Sequence, residues 1–423
     1  MLSSLFAGIS GLNAHQAALS VIGNNIANVN TVGFKSSRTS FSDILSQSLS
    51  GGGQIGRGVK LQTVSPMFTQ GSFQSTSNVT DLAIDGNGFF IVENSNGRFY
   101  TRAGQFSFDN DGSLVTNDGS TVKGYTIDQN GNTSGSLTDI NLSSTSSSPK
   151  ATESITMAVN LDSSEVVQSS FDITDPESTS NFSSSVTVYD SLGNGHLTTV
   201  YFNKTAENSW DWHALVDGSE LTGGTEGILE ECASGSITFN DSGALDTETI
   251  DTSDFDFNSG AQQNQSISLD FGASITTDSG NGLDGTTQFA AASATNFQDQ
   301  DGYSSGSLQS ISIDGEGIVS GMFSNGAAKN LYKVALASFK NDGGLTSVGG
   351  NMYAESKDSG LPIIGMANSA GFGNINSSSL ELSNVDLSQE FVNLITIQRG
   401  FQANSKVITV GDEMLQDLVN LKR

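Results

Sequence analysis

The sequence predicts a multidomain chain: a terminal α-helical coiled-coil layer plus two nested mainly-β domains, the outer one inserted into the inner one. Three observations predict it. Both ends carry large apolar residues seven apart, the stretch between them is Gly-rich and strand-like, and the acidic residues crowd into the middle third.

At the C-terminal end Leu387, Leu394, Phe401, Ile408 and Leu415 fall seven apart, and Phe391, Ile397, Leu418 and Val419 widen the stripe. That spacing lines one seam of a helix. Ser383, Asn384 and Asp386 offer N-caps, with Gln389 and Glu390 in the first turn. A helix over about 386–421 would be ~50 Å long at ~1.5 Å per residue. At the other end Leu5, Leu12, Leu19 and Ile26 repeat the period, flanked by Ile9, Ile22 and Val29, so a helix is expected over about 3–27. The two seams can pair with each other or with neighbouring copies. Each large residue buried there would contribute ~1.5–3 kcal/mol. Helices alone in water are marginal, so both ends are expected to fray in a lone chain and to order in an assembly. The expected assembly interface is Leu5, Leu12, Leu19, Ile22, Ile26, Leu387, Phe391, Leu394, Phe401, Ile408, Leu415 and Leu418.

Asn24, Asn25, Asn28, Asn30 and Gly33 should end the first helix, because Asn favours caps and turns. Residues 34–49, with Phe41, Ile44 and Leu45, read as a short amphipathic segment, and Gly51, Gly52 and Gly53 as a flexible join. Strands begin near Val59. In DLAIDGNGFFIVE a Gly-Asn-Gly turn feeds a buried strand, and Asp111-Gly112 and Asp118-Gly119 mark hairpins. LSSTSSSP at 142–149 is a polar linker. A second β region follows, its cleanest hairpin running from Val186 and Val188 through Gly193-Asn194-Gly195 to Val200 and Phe202. The texture of 70–130 returns after Gly302, which makes the middle an insertion with crossings near 147 and 297. The expected division is 1–33 with 384–423 as the helical domain, 34–70 with 361–383 as linking segments, 71–147 with 297–360 as the inner β domain, and 148–296 as the outer one.

Charge narrows the function. The chain has 423 residues and a net charge of −28. Residues 151–300 hold 24 of the 45 acidic residues and one basic residue, Lys204, whereas 1–42 hold no acid. Nucleic acid and anionic lipid are therefore poor partners. No run of 18 apolar residues occurs, so no membrane span is expected. The first twenty residues lack the basic head and apolar core of a cleavable leader, so if the protein leaves the cell its route must leave the N-terminus in place. A single cysteine, Cys232, excludes an intrachain disulfide. His15, His196 and His213 lack metal-ligand spacing, with His196 expected in a turn and His213 in a strand. Gly302-Tyr303-Ser304-Ser305-Gly306 matches a nucleophile elbow, but no histidine follows His213. Asp109, Asp111 and Asp118, like 279–284, read as turns and not as calcium loops. No catalytic, cofactor or metal residues are assigned, and an enzyme is not expected. A secreted β-rich adhesin would need exposed aromatics, for which only Trp210 and Trp212, on one face of a strand, are candidates.

SGLNAHQAALSVIGNNIANVNTVGFK near the start resembles the N-terminal signature of the bacterial flagellar rod and hook proteins. DLAIDGNGFFIVE and FYTRAGQFSFDNDGSLVTNDG resemble their β-domain motifs, and ELSNVDLSQEFVNLITIQRGFQANSKVITVGDEMLQDLVNL their C-terminal helix. The extra domain near 150–295 resembles the hook member of the family more than the shorter rod members, among which the distal rod protein is the alternative. The resemblance implies a subunit exported by the flagellar type III apparatus that polymerises with itself into a short, curved tube. It implies rod, hook cap and hook–filament junction proteins as partners, a place outside the cell, and no cofactor.

Overall fold

The computed structural model describes residues 2–44, 47–48, 54–128, 131–143, 145–168, 170–369 and 371–420. The expected flexible join at Gly51, Gly52 and Gly53 lies outside them. Two compact units emerge: Met1–Ser144, Ser310–Gly321 and Ala328–Arg423 make the first, Thr145–Gln309 and Met322–Ala327 the second. The chain is mostly β, with one long helix at each end.

In the first unit the N-terminal helix, Leu2–Ala27, and the C-terminal helix, Leu387–Asn420, pack against each other. Asp386 caps the second helix, its Oδ1 accepting from Ser388 N at 2.8 Å and Gln389 N at 3.2 Å. Each helix supplies the other with a packing face. Ser4–Ala27 is long and apolar enough, by length and composition, to cross a bilayer. Its hydropathy comes from lacking Asp, Glu, Lys and Arg, and not from a continuous run of large side chains.

Residues 34–49 hold a strand where an amphipathic segment was expected. Ser37–Asp43 pairs antiparallel with Val59–Pro66, with a bulge at Ser40/Phe41. Long-range pairing overrides the helix-like spacing of Phe41, Ile44 and Leu45. This hairpin lies on the N-terminal helix, where Ser10 Oγ accepts from Val59 N at 3.2 Å.

The β part of the first unit centres on Phe89–Asn94. It pairs with Gly97–Thr101, Thr121–Thr126 and Ala328–Ser338, all antiparallel. Phe90 and Val92 enter one apolar cluster with Leu82, Ile84 and Leu336, whereas Phe89 and Ile91 enter another with Tyr100, Phe339 and Tyr353. A strand covered on both faces explains the unbroken Phe-Phe-Ile-Val run. Leu82–Asp85 pairs with Asn374–Ser377, and Phe73–Ser75 with Ser379–Glu381, so the chain leading into the C-terminal helix is stitched to this unit.

The second unit is a five-stranded antiparallel meander, Phe182–Tyr189, Gly195–Ala206, Ser209–Asp217, Leu229–Phe239 and Leu245–Ser253, with a three-stranded sheet around Ser154–Asn160. Its core holds Trp210, Trp212, Phe202, Phe255, Phe257 and Phe271. Both tryptophans are fully buried, with Trp210 Nε1 donating to Gln288 Oε1 at 3.0 Å. The adhesin reading thereby loses the aromatic patch it required. His196 lies in the strand Gly195–Ala206, not in the turn as expected, because the turn already closes at Asn194.

One turn recurs in both units at Asp109, Asp128, Asp190, Asn240 and Asp314. The first side chain accepts the N–H four residues on, and the fourth residue is glycine with φ between 72° and 85°. Left-handed φ at that position selects glycine, and a short acceptor side chain closes the loop. Part of the Gly and Asp content is thus turn chemistry.

Candidate assembly surface

The two helices run antiparallel at close range. A β-carbon placed on Gly411 would stand 2.7 Å from Leu5 Cδ2, on Gly8 3.1 Å from Ile408 Cγ1, on Gly11 2.6 Å from Asn404 Nδ2, and on Gly400 2.7 Å from His15 Nε2. At the far end Asn25 Nδ2 donates to Glu390 Oε1 at 3.2 Å. The covered face of the N-terminal helix is therefore Gly8, Gly11, Ala14, Ala18, Ile22 and Asn25. Small residues let two helices approach closely, with ridges of one filling grooves of the other.

The residues expected from the seven-residue period take varied places. Ile22 is buried, and Leu5, Leu12, Leu19, Ile26, Leu394, Ile408 and Leu415 are half-buried along the seam's margins. Leu387, Phe391 and Phe401 remain exposed, and the Leu418 side chain lies outside the described residues. The period did not single out Phe6, Val392, Ile395, Val407, Val410 and Met414, all exposed. Their signal is helical spacing on the far side of each helix. Between 2 and 34 the sequence contains no Asp, Glu, Lys or Arg, so His15 is the one ionisable side chain the N-terminal helix presents.

Below the helices a polar junction ties them to the β part of the unit. Asn25 grips Ser37 twice, Nδ2 donating to Ser37 O and Oδ1 accepting Ser37 N, each at 2.9 Å. Asn384 donates to Met67 O at 2.8 Å and accepts from Ser36 N at 2.8 Å. Lys35 Nζ donates to Glu381 Oε1 at 2.6 Å and to Thr69 O at 2.8 Å. Burial presses Lys35 and Arg102 below their ordinary ranges, and the Glu381 carboxylate opposes that shift in both.

His196 Nδ1 lies 2.9 Å from Glu220 Oε2, and its ring stacks on Phe257 at 3.9 Å. His213 stacks on Phe171 at 4.1 Å. Burial pushes the Cys232 thiol up to about 12, which removes the thiolate needed for reactivity. Among the described residues no group of three His, Cys, Asp or Glu side chains is placed to hold a metal ion.

Comparison with known proteins bears on the same surfaces. Residues 5–35 match the flagella basal body rod protein family, and 376–421 match the C-terminal family of the flagellar basal body rod FlgEFG proteins. Both helices thus belong to the rod and hook class of flagellar axial proteins. Residues 83–182 match the flagellar hook protein FlgE/F/G D1 domain and 160–303 the flagellar basal body protein FlaE D2 domain. The chain is 37% identical to the flagellar hook protein FlgE of Borreliella burgdorferi over 100% of both chains, and 37% identical to that of Salmonella typhimurium over 98% of both. It belongs to the flagellar hook protein family. Among solved structures it is similar to the Helicobacter pylori flagellar hook protein FlgE2, at 16% identity and a TM-score of 0.48 over 73% of this chain and 100% of that one.

Proposed function

We propose that this chain is the building subunit of a flagellar hook, polymerising outside the cell into a curved, flexible tube that passes torque from rod to filament. The observation that carries the reading is the pair of terminal helices, whose outward faces keep Phe6, Ile9, Phe391, Val392 and Ile395 in solvent. Exposed apolar faces of this kind, one at each end of the helix pair, mark protein–protein contacts. Contacts that do not close on themselves propagate head to tail into a helical polymer.

In this reading the interface residues are those of the sequence expectation, from Leu5, Leu12, Leu19, Ile22 and Ile26 to Leu387, Phe391, Leu394, Phe401, Ile408, Leu415 and Leu418. The terminal helices form the inner wall of the tube, and the acidic second unit is an insertion into the chain of the first. Its Ser-, Thr- and Asp-rich surface forms wet contacts that slide as the tube bends. The subunit performs no catalysis. Its partners are other copies, the rod, the hook cap, the hook–filament junction and the type III export apparatus. A rigid distal rod is the alternative, which straight polymers would support.

Deleting residues 386–423 tests the reading. The remaining chain should keep its β units and form no tubes; tubes from the truncated chain would contradict it.

A further inference from the structure

Three of the four stretches that carry the resemblance, those containing NTVGFK, FYTRAG and ELSNVD, each send one charged residue into a single buried cluster: Lys35, Arg102 and Glu381. The side chains of Lys35 and Glu381 are 0% exposed and that of Arg102 5%. Glu381 Oε1 accepts from Lys35 Nζ at 2.6 Å and from Gly71 N at 2.9 Å. Its Oε2 lies 3.5 Å from Arg102 Nη1, and its backbone carbonyl accepts from Gly33 N at 2.8 Å. Arg102 in turn donates through Nη2 to Gly86 O at 2.8 Å, and its guanidinium stands 5.3 Å over the Phe89 ring.

From its own strand, the last before the C-terminal helix, Glu381 therefore binds three other pieces of chain: the exit of the N-terminal helix at Gly33 and Lys35, the stretch at Gly71, and Arg102 at the end of the Phe89–Thr101 hairpin. Thermal stability does not account for it. Burying three charges is costly, and replacing such a cluster with apolar side chains of similar volume is often neutral or stabilising. What apolar groups cannot supply is direction, because dispersion contacts tolerate rotation whereas paired charges with several hydrogen bonds fix an angle.

We propose that Glu381 is a positioning residue that locks the direction in which both helices leave the β part of the first unit. The proposal rests on the reading that these helices make the subunit contacts. In a polymer, an angular spread within one subunit is repeated at every contact, so a loose joint prevents a regular tube from forming.

The test uses spin labels at Gln398→Cys on the C-terminal helix and Ser95→Cys on the β part, in a Cys232→Ser background. It compares the parent with the apolar variant Lys35→Met/Arg102→Met/Glu381→Leu. The expected result is a melting temperature close to the parent's, a label-to-label distance distribution at least twofold broader, and loss of regular tubes. A parental distribution in the folded triple variant would overturn the proposal. Should the triple variant not fold, Glu381→Gln decides: it keeps an acceptor for Gly71 N but removes the charge, and an unbroadened distribution there overturns the proposal equally. A broadened distribution with normal tubes would leave the lock standing and refute the role of the helices in assembly.

Discussion

The exposed apolar face of the C-terminal helix makes a quantitative claim. Phe391, Val392 and Ile395 are 51%, 57% and 50% exposed, so about half of each side chain is still wet in the lone subunit. Complete burial of such a side chain contributes ~1.5–3 kcal/mol, so covering the remaining half is worth ~1 kcal/mol each. Replacing all three with glutamine should weaken assembly by about 3 kcal/mol, a ~100-fold rise in the subunit concentration needed for polymer. Glutamine has nearly the helix propensity of the best straight-chain residues, so the helix itself should persist. The lone subunit should lose little, since each exposed substitution changes stability by within about 0.5 kcal/mol. Sedimentation of polymer from soluble subunit across a concentration series gives the threshold. A threshold within about twofold of the parent's, with helicity unchanged, would refute the argument that this face drives assembly.

Two further outcomes follow from local geometry and charge. Gly33 has φ +68°, and an added β-carbon would lie 2.5 Å from the backbone nitrogen of Ala103. Gly33→Ala should therefore cost about 2–4 kcal/mol in urea unfolding of the first unit, since neither the dihedral nor a backbone atom can give way cheaply. In the second unit burial raises Glu248 to about 7, opposed by the hydrogen bond from Phe271 N and reinforced by Asp270 and Asp278. The folded state then holds more protons than the unfolded one between about pH 4.5 and pH 7, so stability should fall as pH rises through that window. Solvent access limits the size of the fall. Melting curves of Glu248→Gln should be flatter with pH than the parent's; an identical slope would contradict the assignment.

The helices were the most legible elements. The expected 3–27 and 386–421 match the observed Leu2–Ala27 and Leu387–Asn420 to within one residue at the inner ends, Ala27 and Leu387, and the outer ends reach the limits of the described residues. The face each helix turns inward was not legible. A seven-residue count follows the largest side chains, whereas the closest approach of two helices is set by the smallest, here Gly8, Gly11, Ala14 and Ala18 against Asn404, Ile408 and Gly411. The strand at Phe89–Asn94 was readable because burial on both faces leaves a continuous apolar run. The hairpin of Ser37–Asp43 was not, because its partner Val59–Pro66 lies across a long connection and only the pairing decides its state. The junction left no local pattern either. Lys35 and Arg102 each stand two residues from a glycine, Glu381 ends a short polar strand, and 346 residues separate the first from the last.

Electron microscopy of the purified chain under polymerising conditions tests the central claim most directly. The account predicts hollow, curved tubes in which Leu2–Ala27 and Leu387–Asn420 are ordered against helices of neighbouring subunits. Tubes with both helices free in solvent, or helices that stay folded within a lone subunit while the β units make every contact, would contradict it.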